Sequence, residues 1–128
     1  MMDILLDTHT VLWFFEDDER LSKSAIETIY NSDNKKYVSI ATLWESAIKY
    51  SIGKLKLDGG VEGFIESIDD NGFILLNITP EHIKTVTSLP YIHRDPFDRI
   101  ITAQAMVEDM AIMTSDDNIL KYEIKPIW

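Results

Sequence analysis

The chain has 128 residues, 45% apolar and 27% charged, enough to bury one substantial core and unlike the composition of a disordered protein. A formal net charge of −10 argues against a passive nucleic-acid binder, which needs a basic field, but suits an enzyme whose acids gather cations. No apolar run reaches the ~18 residues that cross a bilayer, and the absence of Cys removes disulfides and thiolate metal sites. Met1-Met2-Asp3 lacks a basic n-region, so the expectation is one cytoplasmic domain over residues 1–128.

Ile4-Leu5-Leu6 is a short apolar strand running into Asp7, and a helix carrying Val11, Leu12, Phe14 and Phe15 follows. A second helix starts near Ser22 or Ser24, where Ser24 and Glu27 have capping-box spacing and Ile26, Ile29 and Tyr30 share a face. Asn31 to Lys36 reads as a turn, Tyr37-Val38-Ser39 as a strand, and residues 41–52 as a helix closed by Gly53. Val61, Phe64, Ile65 and Ile68 mark the clearest amphipathic helix, ended by Asn71-Gly72 before a strand from Phe73 to Leu76. Thr79-Pro80 opens a helix with Ile83, Val86 and Leu89 that Pro90 closes. Asp95-Pro96 opens another through Phe97, Ile100, Ile101 and Ala105; Ala111 to Thr114 and Glu123 to Trp128 supply the last strands. Apolar strands alternating with helices imply a mainly parallel sheet covered on both faces, with ligands bound beyond the carboxyl ends of its strands.

Four carboxylates stand at positions where that architecture makes them conspicuous. Asp7 follows the first strand directly, and Asp116 lies two residues past Thr114 on the same rim. Glu45 is mid-helix on an otherwise apolar face, and Asp98 shares a face with Ile101, Thr102 and Ala105. Like charges converging on one rim repel unless a cation joins them, and an all-oxygen set suits Mg²⁺ or Mn²⁺. Each also has an ordinary explanation. Asp7, Asp95, Asp98 and Asp116 suit helix N-termini, and Glu45 can pair with Lys49 four residues on.

The segments LLDTHTVLWFF (Leu5 to Phe15), VSIATLWESAIKYSIGKL (Val38 to Leu55), HRDPFDRIITAQA (His93 to Ala105) and IMTSDD (Ile112 to Asp117) resemble the motif blocks of the PIN-domain family, in particular its VapC-like toxins. The resemblance runs nearly from end to end. It implies a three-layer α/β/α sandwich with a mainly parallel, about five-stranded sheet, and a Mg²⁺- or Mn²⁺-dependent endoribonuclease. The family's metal-binding and catalytic acids fall on Asp7, Glu45, Asp98 and Asp116, with Asp95 a neighbouring cap and Asp116 favoured over Asp117 by the Thr-x-Asp spacing. An RNA substrate, an antitoxin protein that covers the acidic rim, and a homodimer built on apolar helix faces are further implications.

No Cys nucleophile, Gly-x-Ser-x-Gly elbow or phosphate-binding glycine loop competes for the chemistry, so water is the expected attacker. Lys49, Lys54, Lys56, Arg94 and Arg99 are the candidate phosphate contacts, with Arg99 equally suited to pair with Asp95. Thr8 and Ser39 read as turn or strand-end hydroxyls near the rim. His9, His82 and His93 have no ligand spacing among themselves and read as packing or surface residues. Trp13, Phe14, Phe15 and Trp44 read mostly as packing. The competing functions are a phosphatase with Asp7 as nucleophile, in which His9 stands where a second aspartate is needed, a DNA nuclease using the same rim, and a catalytically silent binding module.

Overall fold

The computed structural model describes residues 1–128. Five parallel strands, β1 (Asp3–Leu6), β2 (Lys35–Ser39), β3 (Ile74–Leu76), β4 (Ala111–Met113) and β5 (Lys125–Ile127), form one sheet in the order β3-β2-β1-β4-β5. Six helices connect them: α1 (Thr8–Phe15), α2 (Lys23–Tyr30), α3 (Ile40–Ser51), α4 (Gly60–Asp70), α5 (Pro80–Ser88) and α6 (Pro96–Val107). A single 3₁₀ turn, Ile119–Lys121, lies between β4 and β5. No helix is long and apolar enough to cross a membrane.

Successive strand residues point to opposite faces, and β1 divides its side chains accordingly. Ile4 and Leu6 enter a core with Val11, Leu12, Ala25, Ile29, Phe64 and Ile68, the residues of α1, α2 and α4. Leu5 faces the other way, into a second core with Ala41 of α3, Ile101 and Ala105 of α6, and Ile119. The result is the expected three-layer α/β/α sandwich. The cover is incomplete at one edge, because Ile74 and Leu75 of β3 remain exposed.

Two local expectations change. Ser22, not Ser24, caps α2: its extended backbone lets its hydroxyl accept the Ala25 amide at 3.0 Å, so the Ser24–Glu27 spacing is not used as a cap. The polar Asn31–Lys36 stretch is only partly a turn. Lys35 already pairs with Asp3, and its amide donates to the Met2 carbonyl at 2.8 Å, so parallel pairing overrides its polarity.

The strand order places the site. From β1 the chain moves outward through β2 to β3, then crosses back over to β4 on the other side of β1. The connections therefore diverge at the carboxyl ends of β1 and β4, leaving a crevice where loops from both strands meet. Asp7 follows β1 there, and Thr114, Ser115 and Asp116 follow β4.

Candidate metal centre

Asp7 is buried, and its position is set by its own helix. It is the N-cap of α1, with Oδ1 accepting the Thr10 amide at 2.9 Å and the Thr10 hydroxyl at 2.6 Å. Oδ2 accepts the Thr114 hydroxyl at 2.5 Å, across the β1–β4 seam. The seam is sewn twice more, because the Met113 carbonyl accepts both the Asp7 amide at 3.2 Å and the Thr10 hydroxyl at 3.0 Å. Burial pushes the Asp7 carboxyl upward from its ordinary value, and the hydrogen bonds from Thr10 and Thr114 pull it only partly back.

Glu45 sits on the buried face of α3 with Ala41, Thr42 and Ser46. Its Oε2 accepts from Lys49 Nζ at 2.9 Å, the expected i, i+4 pair, and that hydrogen bond holds the Lys49 ammonium above its usual range. Oε1 is buried with no hydrogen-bond partner. A buried carboxylate oxygen without a donor is costly.

Asp98 lies at N3 of α6. Asp95 is the N-cap of that helix, accepting the amides of Phe97 at 2.8 Å and Asp98 at 3.2 Å, and Pro96 occupies N1. Asp95 is thus committed to the backbone, as its cap spacing implies. Burial pushes the Asp98 carboxyl up to about 8, and the charges of Asp95, Asp7, Glu45 and Asp116 push in the same direction. All four other acids therefore act on one side chain. Asp116 uses Oδ1 to accept the amides of Asn118 at 2.8 Å and Ile119 at 3.0 Å, fixing the turn after β4.

The fifth member was read otherwise from the sequence. His93 is nine-tenths buried, and its Nε2 lies 3.1 Å from Asp98 Oδ2 and 3.4 Å from Asp116 Oδ1. Ligand atoms of His93, Asp98 and Asp116 all fall within 4.8 Å of one another. No short-range spacing announces this, because the contact with Asp116 depends on the β3–β4 crossover. Thr10 and Thr114 were also missed as partners of Asp7. Their signals were weak but present: Thr10 is N3 to an aspartate cap, and Thr114 opens the Thr-x-Asp turn.

Other expectations sort as follows. Arg99 neither faces the rim nor pairs with Asp95. It is buried, donating to the carbonyls of Val86 at 3.0 Å and Pro90 at 3.1 Å and to Tyr122 Oη at 3.2 Å, because the last turn of α5 leaves carbonyls that a cation satisfies. Lys54, Lys56 and Arg94 are exposed. His9 is exposed and stacked on Trp13, and His82 is buried as part of the α5 cap. Ser39 caps α3 and donates to Gln104 at 2.6 Å, while Thr8 and Thr42 share a hydroxyl–hydroxyl bond at 3.0 Å. Trp13, Phe14 and Phe15 pack on the core, whereas Trp44 is largely exposed, its ring edge-on to Phe97.

The donor set of Asp7, Glu45, Asp98 and Asp116 fits a hard divalent cation. It is all carboxylate oxygen, one oxygen lacks any donor, and one carboxyl is held far above its ordinary range by burial first and by its acidic neighbours after it.

Known proteins share this architecture. Ribonuclease VapC22 of Mycobacterium tuberculosis is 27% identical over 117 residues, covering 91% of this chain and 88% of the relative. The structure of VapBC2 from Rickettsia felis, bound to a DNA fragment of its promoter, superposes with a TM-score of 0.72 at 14% identity, covering 98% of each chain. DNA-bound VapBC from Salmonella typhimurium gives 0.68 at 16% identity, covering 99% of this chain and 98% of the other. The model of the PIN domain matches residues 4–125, nearly the whole length, and the chain belongs to the PIN-domain family.

Proposed function

We propose that this protein is a divalent-metal-dependent endoribonuclease, the toxin member of a toxin–antitoxin pair, with Mg²⁺ or Mn²⁺ held by Asp7, Glu45, Asp98 and Asp116. The observation that carries the reading is the crowding around Asp98. Four neighbouring acids bear on one half-buried carboxyl at the switch point of the sheet, while a buried oxygen of Glu45 stands without a donor. An arrangement of this kind is unfavourable by itself and favourable around a cation. The ribonuclease VapC22 and the toxin–antitoxin complexes support the substrate class and the antitoxin partner.

A divalent ion, when bound, supplies Lewis acidity that makes water nucleophilic near neutral pH and offsets charge on the departing oxygen of a phosphodiester. The protein's share is to hold the acids. Thr10 holds Asp7 Oδ1 with two donors and Thr114 holds Oδ2 with one, Lys49 orients Glu45, and the turn amides of Asn118 and Ile119 fix Asp116. Lys54, Lys56 and Arg94 are exposed and offer positive charge to RNA phosphates in an otherwise acidic protein. His9, exposed and stacked on Trp13, offers no second acid beside Asp7, which weighs against the phosphatase alternative. A homodimer through apolar surface such as that around Trp44 completes the reading.

The test is cleavage of a mixed-sequence RNA by purified protein in Mg²⁺ or Mn²⁺ and in chelator, beside Asp7→Asn. Metal-dependent cleavage lost in a variant that keeps its circular dichroism supports the assignment. Full activity in Asp7→Asn, or cleavage indifferent to chelator, sinks it.

A further inference from the structure

The strand register carries the rim past β4 to the edge of the sheet. Leu6 pairs with Met113 and Met113 with Ile127, so Asp7, Thr114 and Trp128 each stand one residue beyond the last pair of their strands. Neighbouring strands lie about 4.8 Å apart, which puts the Trp128 backbone roughly 10 Å from that of Asp7. The ladder continues there, with the Thr114 amide donating to the Ile127 carbonyl at 3.3 Å. Between these strand ends opens a cavity of about 230 Å³, lined by Thr114, Ser115, Leu120, Pro126, Ile127 and Trp128. Thr114 belongs to both places, since its hydroxyl holds Asp7 Oδ2 while the residue lines the cavity. Ser115 is the residue between Thr114 and Asp116.

The walls of the cavity have a particular chemistry. Trp128 is half-buried and its ring is braced: Trp13 meets it edge-on, with centroids 6.0 Å apart and planes at 72°. Trp13 is itself held by His9, stacked on it at 5.6 Å, and by the Arg20 guanidinium, 4.7 Å from its ring centre. A braced indole has little rotamer freedom left to lose when a ligand packs on it. Leu120 and Pro126 add exposed apolar surface, and Ser115 adds an exposed hydroxyl that can both donate and accept. A flat aromatic ligand edged with donors and acceptors suits these walls, and an unpaired nucleobase is such a ligand. Charge points the same way. Phosphate attraction is weak for a chain of net charge −10, so stacking becomes the main source of affinity for a single strand.

We propose that this cavity is a base-binding subsite, in which an unpaired nucleobase of the RNA beside the bond being cut packs on Trp128 and Leu120 and meets the Ser115 hydroxyl with its edge. The subsite rests on the reading of the acidic rim as the cutting site of an endoribonuclease. A strand lying over Asp7 and Asp116 has a base within reach of the cavity, because one loop supplies both Asp116 and the cavity wall.

The test is fluorescence anisotropy in Mg²⁺, on protein carrying Asp7→Asn so that the strand stays intact. The probes are a labelled mixed-sequence single-stranded RNA and a ribose-phosphate strand of equal length without bases. Trp128→Leu should bind the RNA roughly 5–100-fold more weakly, the range of one lost base stack, and bind the base-free strand as before. Trp128→Phe should recover most of the loss. Leu120→Ala, at an exposed wall that folding tolerates, should show a smaller loss confined to the RNA. Unchanged RNA affinity in Trp128→Leu overturns the subsite. Equal weakening for both probes also overturns it, since Trp128 would then act only through the fold. If either result accompanies metal-dependent RNA cleavage by the wild type, the subsite falls and the endoribonuclease reading stands. A wild type that neither binds nor cleaves RNA removes that reading, and the subsite with it.

Discussion

Replacing Asp98 with Asn should make the metal-free protein more stable at high pH, not less. The carboxyl has an ordinary value of 3.8 and is pushed up to about 8 in the folded chain, by burial first and by Asp95, Asp7, Glu45 and Asp116 after it. Its folded value lies above its unfolded one, so the folded protein binds the extra proton. The associated stability is complete below about pH 4 and is lost as pH rises toward 8. At 1.36 kcal/mol per pH unit the full window corresponds to roughly 6 kcal/mol, and partial solvent screening reduces that to about 3 kcal/mol. Urea unfolding of the metal-free wild type should therefore weaken by about 3 kcal/mol between pH 4 and pH 8 from this group. Asp98→Asn should flatten most of that slope, leaving the part due to Asp7, whose carboxyl is also raised. Saturating Mg²⁺ should restore the wild type preferentially at the alkaline end, because binding needs the ionised acid. Parallel pH profiles for wild type and variant in the absence of metal would refute the reasoning, since the repulsion would then lie elsewhere.

Three further outcomes follow from the packing. Thr114→Val removes the hydroxyl that Asp7 Oδ2 accepts and should cost about 1–2 kcal/mol in thermal unfolding; a matching loss of Mg²⁺ affinity by calorimetry, about tenfold or more, is expected from a group that orients a ligand. Arg99→Met removes the guanidinium bonds to the Val86 and Pro90 carbonyls and to Tyr122 Oη, leaving each with its backbone or phenol partner, and should cost about 1–3 kcal/mol by urea unfolding; a change below 0.5 kcal/mol, the range of ordinary surface substitutions, would show that water replaces the guanidinium. Gly63→Ala would drive a methyl into the Asp58 carbonyl at the start of α4 and should lower stability by about 1–3 kcal/mol while leaving metal binding intact.

The sheet was legible because each strand is a short apolar run set between helices whose faces carry the 3.6-residue period. Asp7 and Asp116 were legible for the same reason: a residue just after a strand must lie on the rim. Glu45 and Asp98 stood out as acids on helix faces that bury apolar neighbours. His93 was hidden because Asp116, one of the two carboxylates near it, is brought there only when the chain has returned through α6 and β4. Arg99 misled for a related reason. An arginine four residues from an aspartate fits an ion pair, and only the fold shows that carbonyls at the end of α5 and the Tyr122 hydroxyl hold it instead. Ser24 and Glu27 show the limit of motif spacing, since Ser22 has the extended backbone a cap requires.

The triply sewn seam between β1 and β4 bears on how activity can be gained or lost. Met113 receives both the Asp7 amide and the Thr10 hydroxyl, and Thr114 grips the Asp7 carboxylate itself. Asp7 therefore reaches its final setting only when β4, encoded far from it, has docked beside β1. A partly folded chain with β1 to β3 in place would carry Asp7 and Glu45 without Asp116 or the threonine that orients Asp7. Competence for cutting and completion of the fold then coincide, and no half-assembled form carries a working blade.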